Sequence, residues 1–122
     1  MANLPYSQRP LIWLGNSREA LAQSPAAVRR RLGFGLRQVQ NGETPVFAKP
    51  LASFGSGTYE LRADADTTTH RVVYAVKLRK GVYVLDAFTK KSKAGKAIPR
   101  EIAARVAERL KQARRIDDER DT

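Results

Sequence analysis

Apolar and polar residues alternate with a period of two in the middle of the chain, between Tyr59 and Lys96. The sequence reads YELR, then HRVVYAVKL after a short Asp-bearing turn, then VYVLDAFTKKSKAGK after an RKG turn. This period is typical of strands that bury one face. It predicts three strands joined by two tight turns, with a lysine-rich loop after the third. One face of the sheet is then the core, and the other carries arginines.

The alternation also assigns residues of the first two strands to faces. In the first strand Tyr59 and Leu61 point to one side, and Thr58, Glu60 and Arg62 to the other. In the second strand Val72, Tyr74, Val76 and Leu78 oppose Arg71, Val73, Ala75 and Lys77. We therefore expect Arg62 and Arg71 to project from neighbouring strands on the face opposite the core.

The N-terminal part of the chain predicts a short strand and a helix. The apolar run Leu11 to Leu14 is long enough for one strand, at the middle or edge of the same sheet. Pro25 then begins a helix that ends at Asn41-Gly42. Apolar residues recur in it at intervals of four and three, which forms one buried stripe: Val28, Leu32, Leu36 and Val39. Four arginines lie off this stripe and are more typical of a solvated face than of a nucleic-acid contact: Arg29, Arg30, Arg31 and Arg37.

Glycine and proline mark two further features. Gly33 and Gly35 lie inside the predicted helix, and we expect both to let another element pack closely. Residues 43–56 are rich in Pro, Gly and Ser and predict a loop, with Lys49 as its cation.

A second amphipathic helix is predicted near the C-terminus. It begins at Ile98-Pro99, and Ile102, Val106 and Leu110 form a narrow stripe suited to lying on the sheet. We expect residues 1–9 to be a flexible lead-in, residues 10–114 a single domain, and residues 115–122 a ragged charged tail. The fold class is α+β, with a small, mainly antiparallel sheet packed against N-terminal and C-terminal helices.

Charge and composition indicate the type of partner. The 122 residues carry a net charge of +11, and between Arg71 and Arg100 nine Lys or Arg face one acid, Asp86. Such an imbalance favours a phosphate polymer as target. The chain contains no Cys and one His, so disulfides and thiolate chemistry are excluded and a zinc site is not expected. With neither a signal-like apolar segment nor a membrane-length run, we expect a soluble cytoplasmic protein.

Several segments together resemble the RelE/HigB superfamily of toxins from type II toxin–antitoxin systems, and most closely its phage-related HigB-like branch. The segments are PLIWLG, KPL, YELR, HRVVY and VLDAFTKKSKAGKAIP followed by a helix. The most specific piece is AFTKKS at residues 87–92, and the resemblance covers about residues 10–112. It implies a compact RelE-like domain that enters the ribosomal A site and cuts mRNA, inhibiting translation. It also implies neither metal nor cofactor, and a helix-turn-helix antitoxin (HigA-like) as partner.

Metal-free cleavage of RNA needs cations at the scissile phosphate. The ribose 2′-OH attacks the adjacent phosphorus, and fixed cations stabilise the resulting oxyanion. The resemblance places Arg71, Lys90 and Lys91 in catalytic or phosphate-binding positions, with Arg62 beside them. We further expect RNA contacts at three lysines: Lys49, Lys93 and Lys96.

The proton carrier is less well defined by the sequence. His70 is a candidate catalytic residue because histidine side chains titrate near neutral pH. Tyr74 has a phenol, but it shares a face with Val72 and Val76 and is expected to be a core residue. Asp86 either forms an ion pair with Arg71, the favoured interpretation, or acts in acid–base chemistry.

Two other functions remain open at this point. A ParE-like relative of the same superfamily would act on DNA gyrase, and fold alone does not separate the two targets. A non-catalytic nucleic-acid-binding module would also explain the charge. Such modules usually display aromatic stacking platforms, whereas the aromatic residues here mostly fall at core positions. The grouping of Arg62, Arg71, Lys90 and Lys91 favours the nuclease.

Overall fold

Five strands and three helices form in the part of the chain that the structure, a computed structural model, describes: residues 8–91 and 97–119. In chain order they are β1 (Leu11–Trp13), α1 (Ser17–Ala22), α2 (Ala26–Gln40), β2 (Ala48–Pro50), β3 (Thr58–Ala65), β4 (Thr68–Ala75), β5 (Val82–Lys91) and α3 (Arg100–Asp118). A 3₁₀ turn, Ala52–Phe54, follows β2. The α+β class predicted from the sequence is confirmed.

The strands form one sheet in the order β1-β5-β4-β3-β2. The three predicted central strands pair antiparallel in the expected way, and β1 lies at one edge, parallel to β5. The other edge strand, β2, lies within residues 43–56, where the sequence predicted only a loop. Its three residues include Pro50 and pair antiparallel with β3. A strand this short has too few residues for a period to be recognised.

Helices cover both faces of the sheet. On one face α2 presents its predicted stripe, including Leu32 and Leu36, to Leu61, Val72 and Tyr74. On the other face α3 packs Val106, Leu110 and Ala113 against Val73, Tyr83 and Leu85. The expectation that only one face is core is therefore wrong, although the other face carries Arg62 and Arg71 as predicted. Val73 and Ala75 point to the same face as Arg71, so this second face also has apolar surface to bury.

An irregularity in β5 turns Asp86 towards α3. Val73 pairs with Asp86 and Tyr74 pairs with Val84, so Leu85 is the extra residue of a β-bulge. Asp86 accepts hydrogen bonds from Arg105 at 2.7 and 2.9 Å and from Arg109 at 3.1 Å. The expected pairing of Asp86 with Arg71 is thus wrong, because Arg105 and Arg109 occupy both carboxylate oxygens of Asp86. Arg71 lies on the same face but pairs with Glu60. The two ion pairs of Asp86 fix α3 to the centre of the sheet.

The C-terminal end of α3 is held by a buried carboxylate. Asp117 accepts hydrogen bonds from the backbone N–H groups of Arg79 (2.8 Å) and Lys80 (2.7 Å) and from the Tyr83 hydroxyl (3.1 Å). Burial by itself would raise the pKa of Asp117, but these three donors and the Arg79 charge outweigh it and lower the pKa. Burial and the bond to Asp117 raise the pKa of Tyr83 to about 12.

The expected chain ends need correction where the structure describes them. A ragged segment from residue 115 is wrong for residues 115–118, which complete α3 because Asp117 caps the β4–β5 turn. Near the other end, Arg9 donates hydrogen bonds to the carbonyls of Val76, Leu78 and Gly81 at 2.6–2.9 Å. The expected flexible lead-in is therefore wrong for Arg9, which these bonds tie to the β4–β5 turn. Residues 1–7 and 120–122 lie outside the described part.

The two glycines of α2 have different surroundings. A Cβ at Gly35 would lie 2.7 Å from Phe47 Cζ and 2.9 Å from Leu61 Cδ1, so close packing is confirmed there. Among the described residues, a Cβ at Gly33 would have no atom within 4 Å outside its own helix and chain neighbours. The same expectation is therefore wrong for Gly33, which faces open space.

No helix in the described part of the chain is both long and apolar enough to cross a membrane.

Candidate active site

A pocket of about 410 Å³ lies where β2, β3 and β4 meet the start of α3. Its lining combines cations, one carboxylate and apolar side chains: Lys49, Pro50, Leu51, Ser53, Phe54, Glu60, Arg62, Arg71, Ala97, Ile98 and Ala103. Three of the cations expected from the sequence thus share one cavity. It opens on the face of the sheet that α3 covers, next to the apolar cluster of Val73, Leu85 and Val106.

Arg71 and Glu60 form a buried ion pair at the base of this pocket. Arg71 donates from Nε at 2.7 Å and from Nη2 at 2.6 Å to the same oxygen, Glu60 Oε1. Arg71 is 2% exposed and Glu60 is 3% exposed. Register explains the pair, because Arg71 lies opposite Arg62 on β3 and Glu60 is two residues from Arg62 on the same face. The Arg71 guanidinium also stacks on Phe88, 5.2 Å from the ring centroid.

Arg62 is the more accessible arginine of the pocket. Its side chain is 24% exposed, and Nη2 lies 3.8 Å from Glu60 Oε2, which is longer than a hydrogen bond. Its Nε is buried and has no hydrogen-bond partner among the residues described. A buried donor without an acceptor is costly, so Arg62 is suited to an anion that enters the pocket.

Two lysines stand near this pair. Lys49 of β2 is in register with Glu60 and is exposed at the pocket rim. Lys90, near the end of β5, donates a 2.8 Å hydrogen bond to the carbonyl of Ala97, and Arg71 Nη1 reaches the same carbonyl at 3.5 Å. The structure therefore brings together Arg62, Arg71, Lys49 and Lys90, as the sequence grouping predicted in part.

His70 and Lys91 lie on the other face of the sheet. His70 is 6% exposed, and its ring nitrogens bond Thr68 Oγ1 at 3.1 Å and Thr89 Oγ1 at 3.0 Å. His70 is therefore a buried side chain that Thr68 and Thr89 enclose. By the alternation of β5, Lys91 shares the side of Thr89, whereas Lys90 shares the side of Phe88. Neither residue is brought into the pocket.

The remaining candidates are placed as follows. Tyr74 is buried and stacks on Tyr59 with ring centroids 5.8 Å apart, so its predicted core role is confirmed. Burial, with the neighbouring Tyr59, raises the pKa of Tyr74 well above its usual range. Lys93 and Lys96 fall at residues 92–96, outside the described part. Among residues 8–91 and 97–119, no three His, Cys, Asp or Glu side chains lie close enough to bind a metal ion together.

Glu60 is the pocket residue that the sequence did not single out. Its parity with Arg62 on β3 was clear, but a strand acid beside an arginine is common on solvated sheets. The register between β3 and β4 places the Glu60 carboxylate against Arg71, and this contact makes it part of the site. The site as a whole can bind an anion at Arg62 and Lys49 beside a carboxylate held in a fixed position.

A small α+β domain with a cationic pocket at the end of its sheet is the class that fold and site define. The chain belongs to the family described as phage derived protein Gp49-like (DUF891), whose model matches residues 19–111. This is a toxin-like family of the RelE/HigB type. Comparisons with curated proteins and with solved structures find no significant match.

Proposed function

We propose that this protein is the toxin of a type II toxin–antitoxin system and a ribosome-dependent endoribonuclease that cuts mRNA without a metal. The observation that carries the proposal is the pocket in which Arg62 and Lys49 lie beside the Glu60–Arg71 pair. Membership of a toxin-like family supports the same conclusion. The HigB-like branch is the assignment that we favour within that family.

In this proposal Arg62 and Lys49 bind the scissile phosphate. Guanidinium offers a planar fork to phosphate oxygens, and the unbonded Nε of Arg62 leaves one donor available for this fork. Lys49 adds a second positive charge from the opposite strand. Preorganised cations of this kind stabilise the negative charge that develops on phosphorus-bound oxygens in the transition state.

Glu60 is the proposed proton acceptor. Both hydrogen bonds from Arg71 go to Glu60 Oε1. The other carboxylate oxygen, Oε2, lies 3.8 Å from Arg62 Nη2. Oε2 takes the proton of the ribose 2′-OH, and the 2′-oxygen forms a bond to phosphorus. The bond from phosphorus to the 5′-oxygen breaks, and the leaving oxygen receives a proton from the Lys49 ammonium. The products are a 2′,3′-cyclic phosphate and a 5′-OH, so atoms and charge balance.

Arg71 acts through Glu60 in this scheme. Its guanidinium holds the carboxylate in one position, and the Ala97 carbonyl in turn receives Arg71 and Lys90. Because Glu60 is buried against Arg71 in the free protein, we expect free RNA to reach it poorly. The free energy of binding to the ribosome would offset the cost of opening the pocket to the mRNA.

We also propose a cytoplasmic setting and a helix-turn-helix antitoxin as partner. The net charge of +11 supports a partner with an acidic surface, because opposite potentials raise association rates. Co-expression of such a partner should restore the growth of cells that make this protein.

The deciding experiment compares one message in two states, translated on purified ribosomes and free in solution. We expect cuts in the translated message with 2′,3′-cyclic phosphate ends, mapped by primer extension and end-group analysis. Equal cutting of the free RNA would refute the ribosome requirement. Inhibition of the supercoiling activity of gyrase without RNA cuts would favour the gyrase-directed alternative. RNA binding with neither effect would favour a non-catalytic module.

A further inference from the structure

A second cavity lies on the opposite side of the molecule from the pocket of Glu60. It is a groove of about 290 Å³ between β1 and the two N-terminal helices, α1 and α2. Its apolar lining consists of Leu11, Trp13, Leu21, Ala22 and Leu36. The β1 residues Leu11 and Trp13 are only half-buried, and β1 is the edge strand of the sheet. An apolar groove of this kind exposes surface that a partner could bury.

Gly33 lies in the wall of this groove, and no described residue outside its own helix packs against it. Glycine is among the least favourable residues in a helix interior, and a Cβ here would meet only open space. The absence of a side chain instead lets another backbone approach α2 closely. The next residue, Phe34, is 61% exposed and extends the apolar surface beyond the groove.

The charges around the groove are positive. Arg18 and Arg29 line it, and α2 as a whole carries four arginines and no acid. Arg29 is held in place by hydrogen bonds to the carbonyls of Ser24 at 2.7 Å and Ala22 at 3.3 Å. A second copy of this +11 chain would bring like charges together, which disfavours self-association. RNA-binding surfaces usually present several aromatic side chains for stacking, whereas the apolar lining of this groove is four aliphatic residues and Trp13.

We propose that this groove is a docking site for an acidic amphipathic helix of a partner protein. Such a helix lays apolar residues spaced at i, i+4 and i+7 along a hydrophobic groove, and its acids meet the arginines at the rim. Gly33 sets how closely the partner helix approaches α2. The site is independent of RNA cleavage, and it rests on the proposed function only for the idea that an antitoxin supplies the helix.

The test uses the full chain and synthetic peptides as probes. One peptide is helical and amphipathic, with leucines on one face and glutamates on the other. A second replaces the glutamates with lysines, and a third has the order of residues scrambled. Binding is measured by fluorescence anisotropy of labelled peptide against wild type, Gly33→Leu and Ala27→Leu. Ala27 is an exposed α2 residue outside the groove, so its variant adds the same side chain elsewhere.

We expect the acidic peptide alone to bind, and Gly33→Leu to weaken it by about tenfold or more, equivalent to about 1.4 kcal/mol. Ala27→Leu should bind like wild type. The proposal is overturned if no peptide binds, if the lysine peptide binds equally well, or if both variants bind like wild type. It is also overturned if sedimentation shows a dimer of the chain that Gly33→Leu dissolves, or if an RNA oligonucleotide is the only probe that Gly33→Leu affects. Because no readout uses RNA cleavage, failure here leaves the nuclease proposal standing, and the reverse also holds.

Discussion

Arg71 Nη2 lies 2.6 Å from Glu60 Oε1, and both side chains are almost completely buried between β3, β4 and the start of α3. The attraction of such a pair is offset by the cost of removing two charges from water, so its net contribution to stability is small. Removing one partner is different, because the other charge is then left buried without compensation.

The first prediction concerns this ion pair. Glu60→Gln and Arg71→Met should each lower the free energy of unfolding by about 3 kcal/mol, since each leaves one partner unpaired. The double variant should be more stable than the sum of the two losses predicts, by about 2 kcal/mol. Urea unfolding of all four proteins measures this coupling. Additive losses would mean that the pair does not act as a unit.

The second prediction concerns Arg62 and uses Arg37 as its matched control. Arg62→Ala should slow single-turnover cleavage on programmed ribosomes by about 100-fold, because one preorganised donor to the phosphate is lost. Arg62→Lys keeps the charge without the fork and should fall between this variant and wild type. Arg37 is exposed on α2, over the other face of the sheet. If Arg37→Ala were slowed as much as Arg62→Ala, the pocket would be no more than part of a diffuse basic surface.

The third prediction separates His70 from catalysis. His70→Ala should lower the free energy of unfolding by about 2 kcal/mol, because it removes the hydrogen-bond partner of Thr68 and Thr89 in a buried position. Cleavage by the folded variant should stay within about threefold of wild type, since His70 and the pocket occupy opposite faces. A large loss of rate in a protein that is still folded by circular dichroism would restore His70 as a catalytic residue.

The fourth prediction is a dependence of stability on pH that originates at Asp117. Hydrogen bonds from Arg79, Lys80 and Tyr83 hold the pKa of Asp117 below its ordinary value in the folded state, so ionisation of this carboxyl favours folding. This contribution is fully present above pH 4 or so and is lost as the pH falls through the lowered pKa. Asp117→Asn should therefore cost about 2 kcal/mol at neutral pH and less in acid.

Asp118 provides the control for this measurement. It is the neighbouring residue on α3 and is exposed. Denaturant unfolding of wild type, Asp117→Asn and Asp118→Asn at neutral and acidic pH should show a flattened pH profile only for Asp117→Asn. The same profile in all three proteins would place the acid sensitivity elsewhere.

The fifth prediction sets the two glycines of α2 against each other. Gly33→Ala should stabilise the protein by about 1 kcal/mol, because alanine is the better helix former and the space is open. Gly35→Ala should destabilise it by about 2 kcal/mol, since the new Cβ would overlap Phe47 and Leu61. Thermal unfolding decides the prediction, and a shift of the same sign in both variants would contradict it.

Local periodicity was sufficient for much of the fold. Alternation identified β3, β4 and β5 and placed Arg62 and Arg71 on one face, and the four-and-three spacing identified the buried stripe of α2. These signals depend only on residues close in sequence, so they can be read from the chain alone. Arg62 and Arg71 were also correctly expected to lie near each other on neighbouring strands, whereas Lys49 was expected only as a loop lysine that contacts RNA.

Only the tertiary structure decided how these elements combine. Alternation says which residues share a face, but not that α3 covers the arginine face and buries Arg71. Glu60 reaches Arg71 through strand register, and the bulge at Leu85 gives Asp86 to Arg105 and Arg109. Asp117 reaches the β4–β5 turn across 37 and 38 residues of sequence. The physical reason is the same in each case, because buried charges find their partners across distances that no local period encodes.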